Sequence, residues 1–283
     1  MCHFIQLDVM LVDLPGEIGL IINKNINVMA RSKILWVDLQ PSLYCLNKRV
    51  AQYLSRKRQV KRWSFQHDLD ESCNEETVYD LLSETLQNDD NKYHIIGHGL
   101  SGTLACKFAQ KYPQKLRSLT LLSVDTHTSN HWSSHYLKIR SQLPCSRTQV
   151  LSHLSSLLFH QSNARAAAAF PCLLAKCLDS EYIQGSVISQ YTPDELIIPS
   201  IPVLIINGQH DFVVDENSRH RWVKKLKPGD CYQSINKGRH FFQFSHSQST
   251  VQRINSFLDM VPDQVTTSDI YPAKFTSMPS SQS

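Results

Sequence analysis

Tyr93-His94-Ile95-Ile96-Gly97-His98-Gly99-Leu100-Ser101-Gly102-Thr103-Leu104-Ala105 runs from a short apolar strand through a glycine-rich turn into a helix. A strand that turns sharply into a helix between small residues holds one side chain up at the end of a sheet, which is the shape of a nucleophile elbow. The turn demands a strained backbone that glycine reaches at little cost, so Gly99 suits it sterically while bringing no side chain. Ser101 lies two positions further on, about 200° around the helix, so its hydroxyl is expected to face away from whatever position 99 faces.

Working outward, strand-like and helix-like stretches alternate, which predicts an α/β fold: a mainly parallel, doubly wound sheet with helices on both faces. Residues 34–37, 60–65, 119–124, 203–206 and 232–235 read as further strands. Helical spacing appears at 44–56, 75–86, 101–112, 217–226 and 248–260. At the N-terminus, apolar runs at 4–14 and 19–28 flank Pro15-Gly16-Glu17 and read as an antiparallel hairpin. The rhythm breaks at about 126–196, a Ser-, His-, Leu- and Ala-rich segment with helical stretches at 150–159 and 166–178, taken as a helical cap inserted into the core. Residues 1–262 are thus expected to form one domain, and 263–283, rich in Ser, Thr and Pro, a disordered tail.

Composition narrows the function classes. With 41% hydrophobic residues in 283, the chain can bury a full core. A net charge of +4 does not by itself point to nucleic acid, and no nucleic-acid-reading motif accompanies it. No window approaches the ~18–20 apolar residues of a membrane span, and the first residues lack a signal-peptide pattern, so a cytoplasmic protein is expected. The eight cysteines are scattered without C-x-x-C pairs or histidines at zinc-ligand spacing, so reduced thiols, no metal site and no cofactor are expected. The basic cluster Lys48, Arg49, Arg56, Lys57, Arg58, Lys61 and Arg62 reads as a solvated helix and strand edge balanced by the acidic run 68–90; its alternative is a dock for an acidic protein partner or an anionic surface.

From residue 95 to 122, through Ala109, Pro113 and Ser118-Leu119-Thr120-Leu121-Leu122, the chain resembles without a gap the G-H-S-x-G-G elbow, helix and following strand of the α/β-hydrolase superfamily. In that register Gly99 stands at the serine's position. Ile201-Pro202-Val203-Leu204-Ile205-Ile206-Asn207-Gly208-Gln209-His210-Asp211 resembles the strand ending in G-x-x-D that delivers the triad acid, matching Asp211. Gly238-Arg239-His240-Phe241-Phe242, followed by His246, resembles the loop of the catalytic histidine, matching His240. Nucleophile position, Asp, then His is the superfamily's chain order. The resemblance covers about 33–260, with the cap unmatched in detail. It departs at Asp38-Leu39-Gln40, where the superfamily places His-Gly and a backbone N–H of the oxyanion hole; a carboxylate beside a developing oxyanion opposes acyl transfer.

The resemblance implies a site made of His240 and Asp211 as catalytic pair, with His98, Leu100, Ser101, Asp38, Leu39 and Phe241 around the elbow. His98 is expected to pack and hydrogen-bond under the turn, its alternative being to line the site. Phe241, Phe242 and Phe244 are either pocket or core. Asp125 either caps the first cap helix or serves as a second acid for His240. Two functions remain open. One is a hydrolase or lyase without a serine, in which a His240–Asp211 general-base dyad acts on a small apolar ester, lactone or carbonyl compound. The other is a catalytically silent binding or interaction protein: the N-myc downstream-regulated family also lacks the elbow serine and is similar in outline to Gly97-His98-Gly99, although this chain keeps both Asp211 and His240.

Overall fold

Short apolar runs such as Ile34-Leu35-Trp36-Val37 suit strands covered on both faces, and the structure, a computed structural model, uses them so. It describes residues 32–65, 74–87, 92–160, 164–181 and 194–261; the expected N-terminal hairpin and C-terminal tail lie outside these. Six strands, β1 (Lys33–Asp38), β2 (Gln59–Ser64), β3 (Tyr93–His98), β4 (Leu116–Leu122), β5 (Val203–Gly208) and β6 (Cys231–Ile235), form one sheet in the order β2-β1-β3-β4-β5-β6. Every pairing between them is parallel. β3 and β5 are buried throughout, while β2 and β6 at the edges are only partly covered.

Side chains alternate across the sheet and build two cores. On one face Leu35, Val37, Ile95, Leu119, Leu121 and Ile205 share a core with Val78 and Leu82 of α2 (Glu75–Gln87), Leu104 and Phe108 of α3 (Gly99–Lys111) and Trp222 of α7 (Glu216–Lys225). On the other, Ile34, Trp36, Ile96, Leu204 and Ile206 share one with Val50 and Leu54 of α1 (Lys48–Leu54) and Ile254 and Phe257 of α8 (Ser247–Met260). The strand order reverses between β1 and β3. Open α/β sheets bind ligands outside the carboxyl ends of their strands at such a switch point, and here the elbow follows β3.

Between β4 and β5 the chain inserts α4 (Trp132–Gln142), α5 (Arg147–Leu158) and α6 (Ala164–Glu181). Their apolar faces, including Trp132, Leu154, Phe159 and Leu174, join Val213, Val214 and Phe241 in a third core over the loops that leave β5 and β6. Several sequence expectations are corrected. The helix expected at 44–56 is split into a 3-10 turn (Pro41–Leu46) and α1, because Asn47 breaks the run between them. The helix after the elbow begins at Gly99 rather than Ser101. Asp125 does not cap α4: His131 does, through Nδ1, while the fully buried Asp125 carboxylate binds Arg221, Asn130, the Thr126 hydroxyl and the His127 N–H.

The basic cluster is divided as well. Arg62 turns inward to Asp38 and lies 3.9 Å from the Tyr44 ring centroid, and Arg58, itself buried, bonds Asn255 and Asp259. Neither finds a partner in 74–87, the described part of the acidic run expected to balance them.

Candidate active site

Three strand ends meet at this site. β3 ends in His98 and passes directly into α3 through Gly99, whose φ of 50° lies in the left-handed region that favours glycine. β5 ends at Gly208 and runs into the turn that carries Asp211; β6 leads through Gly238 to His240. The last two loops are laced together by Gln209 N–H to Ile235 O (2.9 Å) and His210 N–H to Gly238 O (2.8 Å). They approach so closely that a Cβ on Gly208 would stand 2.4 Å from the Gly238 oxygen. Gly208→Ala is therefore expected to cost about 1–3 kcal/mol, as overpacking does, and to part the two loops; an unchanged denaturant midpoint would show that this contact yields freely.

Asp211 and His240 are both buried, and Nδ1 of His240 lies 3.1 Å from each Asp211 oxygen. Asp211 Oδ1 also accepts from the N–H groups of Val213 (2.8 Å) and Val214 (3.1 Å). Burial works to raise this carboxyl, but the charge and hydrogen bond of His240, joined by the two N–H groups, outweigh it and hold it below the usual carboxylate range. A carboxylate only accepts, so the neutral ring carries its proton on Nδ1 and Nε2 keeps a lone pair. Nε2 is buried and has no hydrogen-bond partner among the described residues. A Cβ placed on Gly99 would lie 3.7 Å from it, with no other atom of the described residues beyond the immediate chain within 4 Å.

Around this pair, His98 Nε2–H donates to the carbonyl of His240 (3.0 Å), its ring stacked on Phe241 and edge-on to His240. Phe241 also stacks on Phe159, which stacks on Phe170, so a row of rings ties the inserted helices to the histidine loop. Phe242 instead belongs to the core under the sheet, and Phe244 is partly exposed against Phe170. Leu39 and Leu100 are core residues on the α3 face. Ser101, buried, accepts the Leu39 N–H on its hydroxyl (3.0 Å).

Asp38 acts differently from the sequence expectation. Its carboxylate is paired with Arg62 Nη2 (2.8 Å) and Nε (3.0 Å), so its charge is compensated by a direct partner. Burial nonetheless pushes its carboxyl above the usual range against the opposing pull of Arg62. Its other oxygen accepts the Gln40 N–H at 3.0 Å. Both N–H groups of the loop after β1, Leu39 and Gln40, are thereby engaged within the protein.

Residues the sequence did not single out also belong here. Ser123, at the end of β4, donates its hydroxyl to the same His240 carbonyl (2.6 Å). Asn130 donates to Val213 O (2.7 Å) and bonds His135, tying the start of α4 to the acid loop. The Gln40 amide donates to the Cys177 thiol, which in turn donates to Glu181, joining the loop after β1 to α6; Cys106 and Cys177 are buried free thiols.

Burial lowers the His98 imidazole to about 3 and His131 to about 4, against an ordinary 6.5. Below that ordinary value the unfolded chain binds more protons than the folded one. Stability should then fall as pH drops from about 6.5 toward 4, by about 1 kcal/mol per pH unit for each ring. Denaturant midpoints at pH 7, 6 and 5 measure this, and a flat series contradicts it.

No family model matches the chain. An uncharacterized protein of Nostoc sp. (strain PCC 7120) is 28% identical over 225 residues, 79% of this chain and 89% of its own length. Among solved structures, an enol-lactonase from Burkholderia xenovorans LB400 is similar with a TM-score of 0.59 at 14% identity, covering 81% of this chain and 92% of its own. A thermophilic esterase from Thermogutta terrifontis is similar with a TM-score of 0.62 at 15% identity, covering 81% and 90%. Among the described residues no helix is long and apolar enough to cross a membrane.

Proposed function

The chain has the α/β-hydrolase fold, and from that premise we propose that it is an enzyme in which His240, oriented by Asp211, is a general base acting over Gly99. One observation carries the reading: a buried Nε2 lone pair, unpartnered among the described residues, lies 3.7 Å from where a Cβ at the elbow position would stand. A buried polar atom left unpaired costs about 1–3 kcal/mol, so a water or substrate proton at that point is favoured. Nε2 takes that proton, and the positive charge that develops on the ring is stabilised by Asp211.

Negative charge that develops on the substrate meets the positive end of α3, a 13-residue helix with no acidic residue in its first turn. The loop after β1 gives little such help, because Leu39 and Gln40 have already spent their N–H groups on Ser101 and Asp38. General-base assistance of about 10²–10⁴ in rate is the scale to expect. The apolar third core and its row of rings suit a small apolar ester, lactone or carbonyl compound, with α4, α5 and α6 as the cap within one domain of residues 1–262. The step draws on no metal or cofactor, and a cytoplasmic location accords with it.

The engaged N–H groups also favour a second reading, a catalytically silent binding protein. A panel of esters, lactones and carbonyl compounds, turned over by wild type and by folded His240→Ala, separates the two. The enzyme reading expects turnover that His240→Ala lowers by about 10²–10⁴. No turnover across the panel supports the silent protein, and turnover indifferent to His240 removes the dyad from the mechanism.

A further inference from the structure

The ring of His240 is aimed by Asp211, but its peptide is held by a separate device. The His240 carbonyl accepts two hydrogen bonds, from Ser123 Oγ–H at 2.6 Å and His98 Nε2–H at 3.0 Å. These donors stand at the ends of neighbouring strands, β4 and β3, so the carbonyl is pinned against the carboxyl edge of the sheet from two sides. Both donors are buried, Ser123 at 2% exposure and His98 at 6%.

Ser123 makes its bond from an unfavourable backbone. Its φ is 50°, a region that residues with a Cβ seldom occupy. Its own N–H donates to Ile206 O (3.0 Å), which fixes the peptide to β5. On conformation alone glycine would serve better there. What glycine lacks is the hydroxyl, and among the described residues the bond in which the structure places that hydroxyl is the one to the His240 carbonyl. Strain of this kind persists where the surrounding structure over-determines it, and such positions cluster at functional sites.

We propose that Ser123 is a positioning residue for the base: its hydroxyl, projected from a left-handed backbone at the end of β4, holds the His240 peptide so that Nε2 stays directed at Gly99. This rests on the reading of His240 as a base. His98 is the second half of the clamp, and its bond explains why its ring must carry a proton on Nε2, since a carbonyl only accepts.

The test exploits the opposite signs of the two effects of one substitution. Ser123→Gly removes the hydroxyl and the strain together, so the variant should unfold at the same denaturant concentration as wild type or a higher one. In a Gly99→Ser background, where a serine beside His240 reports its basicity, the same substitution should slow reaction with a fluorophosphonate probe at least about tenfold, the scale of a small misplacement of a reacting group. Ser123→Ala, which keeps the strain, should slow labelling equally and lower the midpoint.

Undiminished labelling of the stable Ser123→Gly, Gly99→Ser protein overturns the positioning role and leaves the base intact. A folded Gly99→Ser protein that does not label at all removes the base, and the role of Ser123 with it. A second measurement uses the native Gly99 chain. The Nδ1 proton resonance of His240, assigned by its loss in His240→Gln, should broaden or shift in Ser123→Gly; an unchanged resonance counts against the clamp.

Discussion

Asp211→Asn should lower turnover of any substrate the wild-type protein accepts by about 10²–10⁴, and His240→Ala should lower it by no more than a comparable factor. Asp211 makes three contacts with two consequences. Its bonds to the Val213 and Val214 N–H groups hold the turn, and its bond to His240 Nδ1 sets the tautomer. Asparagine can still accept from the two N–H groups, yet its amide no longer demands a proton on Nδ1 and no longer stabilises a charged ring. The lone pair on Nε2 is then lost for part of the population. Because the two residues act as one unit, the double variant should be scarcely worse than either single one. Steady-state rates for the four proteins, each first checked for folding, give the answer; additive losses would mean that Asp211 and His240 serve separate ends.

Gly99→Ser should acquire a reactive hydroxyl without becoming a good hydrolase. The Cβ position over Gly99 is 3.7 Å from Nε2, which brings a serine oxygen within hydrogen-bond reach of the base. Turnover needs more. Stabilising the tetrahedral oxyanion calls for donors aimed at it, and losing one such donor typically costs about 10²–10³ in rate. Gln40 N–H is held by Asp38, and Asp38 is anchored by Arg62 on the adjacent strand. An activated ester should therefore give a burst of acyl-enzyme that is released slowly. Asp38→Ala in that background frees Gln40 and should raise turnover, provided the protein tolerates an unpaired Arg62. The substitution at 99 itself costs about 1–2 kcal/mol at positive φ, tolerable for a domain of this size. Fast multiple turnover by Gly99→Ser alone would show that the β1 loop does not limit the chemistry.

How much of this could be read in the sequence depends on how local each feature is. The elbow was legible because Gly97, Gly99 and Gly102 crowd one turn between a strand and a helix. The strands at 34–37 and 203–206 were legible because continuous apolar runs have few other uses. Asp211 and His240 stood out because each follows a strand within a few residues, in the order the fold requires. Contacts across the sheet left no such trace. Nothing near Asp38 reveals that Arg62 on β2 would neutralise it, and Asp125 meets Arg221 from 96 positions away. The start of α4 was missed because its capping box uses His131 where Ser or Thr is usual, whereas Ser146 and Gln149 at α5 follow the common pattern. Ser123 had no signature at all, since a left-handed backbone at a non-glycine residue is imposed by its surroundings.

The claim at the centre of this account is that His240, with Asp211 behind it, is a working base facing an empty elbow position. Intact-mass measurement after fluorophosphonate treatment tests it most directly on three proteins: wild type, Gly99→Ser, and Gly99→Ser with His240→Ala, all shown to be folded. The account predicts no adduct on wild type, one adduct per chain at position 99 in Gly99→Ser, and none when His240 is also removed. A well-folded Gly99→Ser protein that gains no adduct, or one that gains it equally without His240, contradicts it.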